Sequence, residues 1–435
     1  MHSQLPQPRG NSRRQFLQHS AVAGTSLVAA GSLIGRVHAT VNETIRVGVV
    51  GCGGRGGGAI TDALRANESV NIVALADLFP EPLSATRNNF SSNKDFSARF
   101  KATPDTCFEG FDCYEKMLAN CELDAVILTA PPHYRPDHLE AAVKAGKHVF
   151  CEKPIAVDPV GVKRVRETCA VAEKMGLNIV SGLCWRYDAG VRESVSRVLD
   201  GQIGKVISTQ ADYLTGPVWS KAKNPNESDM EYQCRNWYYY TWLSGDHIVE
   251  QFIHSIDKAL WIRNDVPPVR AYGTGGRQTR DDLTMGMIYD HFCIVYEWAD
   301  GSRTYANTRQ FRGCKTGTED YIYGTDGTAK LLAHQIDGAK PWSFQGDKVS
   351  MYVQEHMELY EAIQGKRPTI NNGGYMCDST LMSILGREVC YSGQEISWEQ
   401  ISESPQDLRP QGYQWGAAPE VIVPQPGKYR TPLKA

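Results

Sequence analysis

In the stretch "SGDHIVEQFIHSIDKALW", His247, Glu250, His254 and Asp257 recur at intervals of three and four residues. If Asp246 to Trp261 forms one helix, all four lie on one face. An apolar stripe at that spacing would be core, whereas four ionisable groups on one face require partners, water, a metal ion or a substrate. His254 suits proton transfer, because an imidazole titrates near neutral pH and passes a proton in either direction. The same stripe admits a second reading, in which His247, Glu250 and His254 hold a divalent cation. Earlier in the chain, "GKHVFCEKP" ends a short apolar run on Glu152 and Lys153. An ammonium there, beside a reacting hydroxyl, would stabilise a developing alkoxide and favour deprotonation.

Lys153 needs elements that bring it to a ligand. "LDAVILTAPPHYRPDHLEAAVKAGKHVFCEKPIAVDP" reads as strand, loop, helix, strand and loop: Ala125 to Leu128 is a buried strand, Pro131-Pro132 punctuates the loop, and Gly146 closes a helix opened near Asp137. Loops at the carboxyl ends of such strands are where doubly wound sheets bind ligands, so Thr129, Pro131, His133, Glu152 and Lys153 are expected to face one crevice. The other wall is the run Ile45 to Val50, which ends in Gly51-Cys52-Gly53-Gly54-Arg55-Gly56 and continues with helical periodicity. Strand, glycine turn and helix form the context in which G-x-G-x-x-G binds a dinucleotide. Gly51 turns tightly, Gly53 admits the pyrophosphate, Gly56 lets helix and strand pack, and the helix N-terminus, with Gly54 and Arg55 in its first turn, offers N–H groups to the anion. A second strand, "VNIVALADLFP", closes with Asp77 about twenty residues past the last glycine, where a carboxylate would accept from the ribose hydroxyls. No Arg or Lys follows immediately, so NAD is expected rather than NADP.

With the glycine turn, Glu-Lys-Pro after a strand makes the chain resemble the Gfo/Idh/MocA family (glucose-fructose oxidoreductase, inositol 2-dehydrogenase, rhizopine catabolism) from about Thr44 to Ile401. The resemblance implies an α/β Rossmann domain with a doubly wound parallel sheet over residues 43–180. An α+β domain with a large, open, mostly antiparallel sheet would follow over 181–401, and then a tail over 402–435. In that family the motif's lysine lies between nicotinamide and substrate, which is Lys153 here. A pattern of acid, three residues, His, two residues, Asp falls on Glu250, His254 and Asp257, with the His as general acid/base. Many relatives have Asp where this chain has Glu250. The resemblance weighs against the metal reading, and no metal is expected. Relatives often form dimers or tetramers through the exposed face of the second sheet, so a homodimer or homotetramer is expected.

The second half contains strand-like text at "GKVISTQADYLTG", "DHFCIVYEWADG", "RTYANTRQF" and "EDYIYGTDGTAKLL", with Asp300-Gly301 and Asp326-Gly327 as hairpin turns. Aromatics including Tyr187, Tyr213, Trp219 and Trp237 bracket the ionisable stripe, and sugar rings offer C–H faces that stack on aromatic rings. Arg186 or Arg235 would bind hydroxyls or a carboxylate, with Asp257 beside them. The expected substrate is a small carbohydrate or polyol, oxidised or reduced by hydride transfer. Two alternatives use the same text: a redox-neutral NAD-dependent glycosidase or lyase acting through a keto-sugar, and a binding protein without catalysis.

A net charge of -3 and the absence of a basic block in the body of the chain argue against nucleic acid as a partner. The one long apolar run, Ala21 to Ile34, is too short and too rich in Gly and Ala to suit a bilayer, so no stable membrane insertion is expected. It follows Ser12-Arg13-Arg14-Gln15-Phe16-Leu17 and precedes Val37-His38-Ala39. Residues 1–39 thus resemble a twin-arginine signal peptide, which implies a bacterial protein exported to the periplasm or beyond. The twelve cysteines are scattered without a Cys-x-x-Cys pair and are expected to be mostly buried thiols.

Overall fold

The computed structural model describes residues 44–281 and 283–434. The expected leader lies outside them. The chain builds two sheets. In the first, β1 (Ile45–Val50), β2 (Val70–Asp77), β3 (Cys107–Glu109), β4 (Ala125–Leu128), β5 (His148–Cys151) and β6 (Ile179–Ser181) are all parallel, in the order β3-β2-β1-β4-β5-β6. The texts "IRVGVV" and "AVIL" lack polar alternation because both faces of a parallel sheet are covered by crossover helices. The strand order reverses between β1 and β4, which opens a crevice beyond their carboxyl ends. The glycine turn follows the first of these ends and Thr129 the second.

The second sheet has nine strands: β7 (Val206–Thr215), β8 (Arg270–Gly276), β9 (His291–Glu297), β10 (Arg303–Gln310), β11 (Gly317–Gly324), β12 (Gly327–Lys330), β13 (Gln335–Gly338), β14 (Trp342–Ser343) and β15 (Ile396–Ser397). Their order is β14-β13-β12-β11-β7-β10-β9-β8-β15, and only the β7–β10 neighbours run parallel. The hairpin β9–β10 turns at Asp300-Gly301, as the sequence predicts, whereas β11–β12 reverses one residue early, at Thr325-Asp326, with Gly327 already in β12. The helix Gly373–Ser392 packs against β8 and β9 and against the helices Pro159–Met175 and Ile253–Trp261. It is therefore buried along almost all of its length. Met351–Ile363 returns to the first sheet's side and packs on Gly54–Ala66. Among the described residues no helix is long and apolar enough to cross a membrane. All twelve cysteines are free, and most are buried.

One expected element is broken. Asp246 to Trp261 is not a single helix but two, His247–Glu250 and Ile253–Trp261. Gly245 and Asp246 both have positive φ, at 80° and 75°. The Asp246 carboxylate is fixed by the main-chain N–H groups of His247 (2.5 Å) and Tyr289 (2.8 Å) and by the Tyr391 hydroxyl. At the break, the N–H groups of Gln251 and Phe252 both reach the His247 carbonyl, so the regular ladder is lost. Asp246 thus caps the first piece, and the break itself, at Gln251 and Phe252, interrupts a local pattern that reads as continuous helix.

Candidate active site

The crevice is a cavity of about 630 Å³ that runs from Asp77, Phe79 and Phe111 past the glycine turn to Trp237, Glu250 and Gln251. Gly51 sits at φ +97°, and a Cβ there would meet the Ala130 amide nitrogen at 2.4 Å. At Gly56 a Cβ would lie 1.9 Å from the Gly51 carbonyl oxygen, so helix and strand touch backbone to backbone. At Gly53 and Gly54, by contrast, a Cβ would meet nothing within 4 Å. These two glycines leave room over the N-terminus of the helix Gly54–Ala66, where N–H groups lack intrahelical partners. The donor set, the open glycines and the carboxylate at the end of β2 fit a dinucleotide.

Asp77 is anchored by accepting from the Cys52 N–H (2.6 Å) and the Phe79 N–H (2.9 Å). Burial raises its carboxyl above the usual range, and these N–H bonds oppose the shift. Thr129 and Pro131 line the cavity. The Thr129 hydroxyl is spent on the Gly51 carbonyl, at 2.7 Å, so it braces the turn. Arg55 also lines the cavity and bonds Glu152, Asp62 and Glu355. Through Glu152, whose other oxygen accepts from the Lys153 N–H at 3.1 Å, the glycine turn is tied to the Glu-Lys-Pro strand end.

Lys153 Nζ donates to Glu250 twice, to Oε1 at 2.9 Å and to the main-chain oxygen at 2.6 Å. The two side chains are 15% and 16% exposed, so this ion pair is shielded more than a surface pair. His254 lies near enough for the Lys153 charge to bear on it. Burial first, then Lys153, Lys258 and Arg55, hold the imidazole well below its ordinary pKa and therefore neutral. Its Nδ1 is buried with no hydrogen-bond partner among the described residues. Tyr213 on β7 does not line the cavity but stands near enough to feel Glu250. Burial and the nearby Glu250 carboxylate push its phenol up to about 12. Trp237 lines the cavity and stands edge-on to Trp219, with ring centroids 5.9 Å apart.

Several expected site residues have other duties. Arg186 forms a fork with Asp257 (2.8–3.0 Å) and bonds Asp265 as well, and Asp257 also accepts from the Ser379 hydroxyl. Both members are buried, so they join the helix Ile253–Trp261 to Gly373–Ser392 instead of offering groups to the cleft. The Tyr187 hydroxyl donates to Asn372 Oδ1 at 2.8 Å and is likewise turned away. His133 is buried edge-on to Trp242, with Nε2 on the Tyr413 hydroxyl at 2.8 Å. Burial takes its pKa down to about 3, and it does not line the cavity. His247 turns to Asp246 and the Tyr289 carbonyl, because the helix break rotates it off the stripe. No cluster of three metal-ligating side chains is found among the described residues. Asn371 Oδ1 accepts from the Gly373 N–H at the start of the buried helix, and Asn372 Oδ1 also accepts from the Ser181 N–H at the end of β6.

Sequence reasoning overlooked Gln251, which the same break turns into the cavity, where its Oε1 accepts from Gln310 at 2.8 Å. It overlooked the wall made by Phe79 and Phe111 as well. Their proximity to the Asp77 turn was the available signal, but only folding brings residues of the C-terminal tail against them.

A parallel six-stranded sheet with a glycine turn at its switch point, whose Lys153 after β5 meets Glu250 from a helix of the second half, defines a dinucleotide-binding fold of the Rossmann type. Residues 45–180 match the Gfo/Idh/MocA family, described as an oxidoreductase family with an NAD-binding Rossmann fold. The chain is 25% identical over 378 residues to the inositol 2-dehydrogenase of Salmonella typhimurium, covering 83% of this chain and 98% of that one. The scyllo-inositol dehydrogenase of Lactobacillus casei, with bound NAD(H) and scyllo-inositol, has the same fold, at TM-score 0.62 and 16% identity over 82% of this chain and 99% of the other. So does the aldose-aldose oxidoreductase of Caulobacter crescentus complexed with glycerol, at TM-score 0.62 and 18% identity, over 82% and 100%. Together these matches give residues 45–180 the NAD-binding Rossmann fold of that oxidoreductase family and make most of the chain similar to polyol and sugar dehydrogenases.

Proposed function

We propose that this protein transfers a hydride between a hydroxyl carbon of a sugar or polyol and a nicotinamide cofactor, NAD in preference to NADP. The observation that carries the reading is Glu250, which lines the far end of a cavity that begins on a glycine turn and holds, just behind that wall, the Lys153 ammonium whose charge bears on a neutral His254. A bound nicotinamide supplies the hydride acceptor or donor. Gly53 and Gly54 leave the approach to the helix N-terminus open, and Asp77 accepts from ribose hydroxyls. An ammonium has three donors. Lys153 spends two on Glu250, and the third is left for the substrate oxygen, where it stabilises negative charge as it develops. His254, neutral because of its burial and its cationic neighbours, takes the hydroxyl proton and readily returns it. Trp219 and Trp237 give apolar faces against which a sugar ring stacks.

The preference for NAD is supported by Arg235, the cation that lies over Phe79 near the Asp77 end. Its guanidinium is engaged by Glu81, Glu227 and Glu231 instead of standing open for a 2′-phosphate. The leader motif supports export, and an exported enzyme without a free nucleotide pool must carry its cofactor and recycle it on the protein. Association into a homodimer or homotetramer is supported by Ile207, Tyr272, Tyr305 and Tyr323, which are exposed on strands of the second sheet.

The test is to purify the protein with no nucleotide added, denature it and identify any released nucleotide by mass spectrometry. Stoichiometric NAD is expected. Lys153→Ala and His254→Ala should retain the nucleotide yet fail to reduce or oxidise it across a panel of sugars and polyols. Normal turnover in either variant removes these residues from the mechanism. Release of nitrophenol from nitrophenyl glycosides without added nucleotide would move the assignment to the redox-neutral glycosidase.

A further inference from the structure

After the short helix Trp398–Ser402 the described residues form no further helix or strand, yet the segment is fastened along its course. At one end Gln406 Oε1 accepts from Arg387 Nη2 at 2.9 Å. At the other, the Gly427 N–H donates to the Ser392 carbonyl (2.9 Å) and the Tyr429 hydroxyl donates to Glu388 Oε2 (2.9 Å). All three partners belong to the buried helix Gly373–Ser392, so the segment between them is a loop held at both ends.

None of that loop's residues lines the cavity, but the loop ties together the elements that form its two walls. On the side of the first sheet, the Tyr413 hydroxyl meets His133 Nε2, and the Trp415 ring lies 4.7 Å from Phe111 and 5.6 Å from Phe79. Immediately beyond, the Gly416 carbonyl accepts from the Met230 N–H (3.0 Å) and the Pro419 carbonyl from Gln233 Nε2 (2.9 Å). Met230 and Gln233 lie on the helix Asp229–Arg235, which ends in the guanidinium seated 3.9 Å over the Phe79 ring. Phe79, Phe111 and Arg235 are themselves walls of the cavity. The strap therefore binds both walls at the Asp77 end, and separating Phe79 from Arg235 means detaching it from one of them.

We propose that residues 404–434 are a latch that holds together the two walls of the cleft at its Asp77 end and must loosen before the dinucleotide leaves. The latch converts a freely exchanging cosubstrate into a retained group. This rests on the reading that the cavity holds a nicotinamide dinucleotide. It assigns Trp415 and Tyr413 as positioning residues that act through Phe79, Phe111 and His133. Trp415 is 47% exposed and so is not a core side chain, which lets it be removed while Gly416 keeps its bond to Met230.

The experiment uses the full chain loaded with NADH, mixed with excess NAD, while loss of bound-NADH fluorescence is followed. Trp415→Ala should release NADH about tenfold faster than the wild type, since affinity changes at one site appear chiefly in the off-rate. Trp415→Phe, which keeps a ring against Phe79 and Phe111, should stay close to the wild type, and Tyr413→Phe should fall between. If Trp415→Ala does not fold, the proposal rests on Tyr413→Phe and on hydrogen exchange in the wild type, where the Met230 amide should exchange more slowly with nucleotide bound. Equal release from all folded variants, or a Met230 amide indifferent to nucleotide, overturns the latch. A wild-type protein that binds no NADH overturns the nucleotide reading, and the latch with it.

Discussion

Gly53 and Gly56 belong to one motif, yet the structure predicts opposite consequences for a methyl group at each. At Gly56 the new Cβ would stand 1.9 Å from the Gly51 carbonyl oxygen and 2.9 Å from its carbon. Both are backbone atoms at the end of a buried central strand, so relief requires moving the helix Gly54–Ala66 off β1. Overpacking of this kind costs about 1–3 kcal/mol. At Gly53 the Cβ would meet no atom within 4 Å, and the backbone, at φ -72° and ψ -167°, suits alanine. Gly53→Ala should therefore leave the apo protein unharmed, or stabilise it by about 0.4–1 kcal/mol through a less flexible unfolded chain. The methyl group would stand instead where a pyrophosphate approaches the helix N-terminus. Losing one or two such bonds at about 1.5–3 kcal/mol each lowers NAD affinity at least about tenfold. Urea unfolding of the nucleotide-free protein and calorimetric titration with NAD measure the two effects separately. If Gly53→Ala binds NAD like the wild type, or is destabilised as much as Gly56→Ala, the placement of the nucleotide on this turn is wrong.

Other predictions concern the groups that fold reassigned. Arg186→Met strands the Asp257 carboxylate, which is 1% exposed, and should cost about 3–5 kcal/mol in urea unfolding. A loss below about 1 kcal/mol would mean that the pair is not the joint described above. Glu81→Gln releases one carboxylate from Arg235, and NADP should then gain about tenfold in affinity relative to NAD. An unchanged ratio would show that Arg235 does not face the 2′ position. The histidines give an acid limb: burial takes His138 down to about 3 and His148 to about 4 from the ordinary 6.5. The unfolded chain then binds protons that the folded chain refuses, so their contribution is full above about pH 6.5. It falls by about 1.4 kcal/mol per pH unit for each group as the pH drops towards 4. His138→Phe should flatten the stability profile between pH 6.5 and 4 by one such increment, and an unaltered slope would contradict the assignment.

Much of this molecule was legible in its text because the signals are local. β1, the glycine turn and the helix after it follow from periodicity and from the one residue type that permits φ +97° at Gly51 and backbone contact at Gly56. The hairpin at Asp300-Gly301, with Gly301 at φ 83°, follows from turn chemistry in the same way. Lys153 and Glu250 lie far apart in the chain, and the sequence marked each by its setting without showing that they touch.

What the text did not disclose depends on partners distant in sequence. Spacing placed His247, Glu250, His254 and Asp257 on one stripe, but the helix breaks at Gln251 and Phe252, and Asp246 at φ 75°, held by Tyr289 and Tyr391, caps its first piece. His247 is thereby buried away from the cleft, and Gln251 is turned into it. Spacing also made Arg186 and Asp257 look like substrate ligands, although each is the other's partner, because a buried charge is tolerated only when it is paired. The proline-rich tail has no periodic pattern, since its order comes from Phe79, Phe111, Met230 and Glu388 and not from its neighbours in the chain. Sequence determined which segments turn, pair and carry chemistry, because those are properties of a few adjacent residues. Tertiary structure decided which chemical groups remain available to a ligand, because that depends on which of them find a partner when the chain closes on itself.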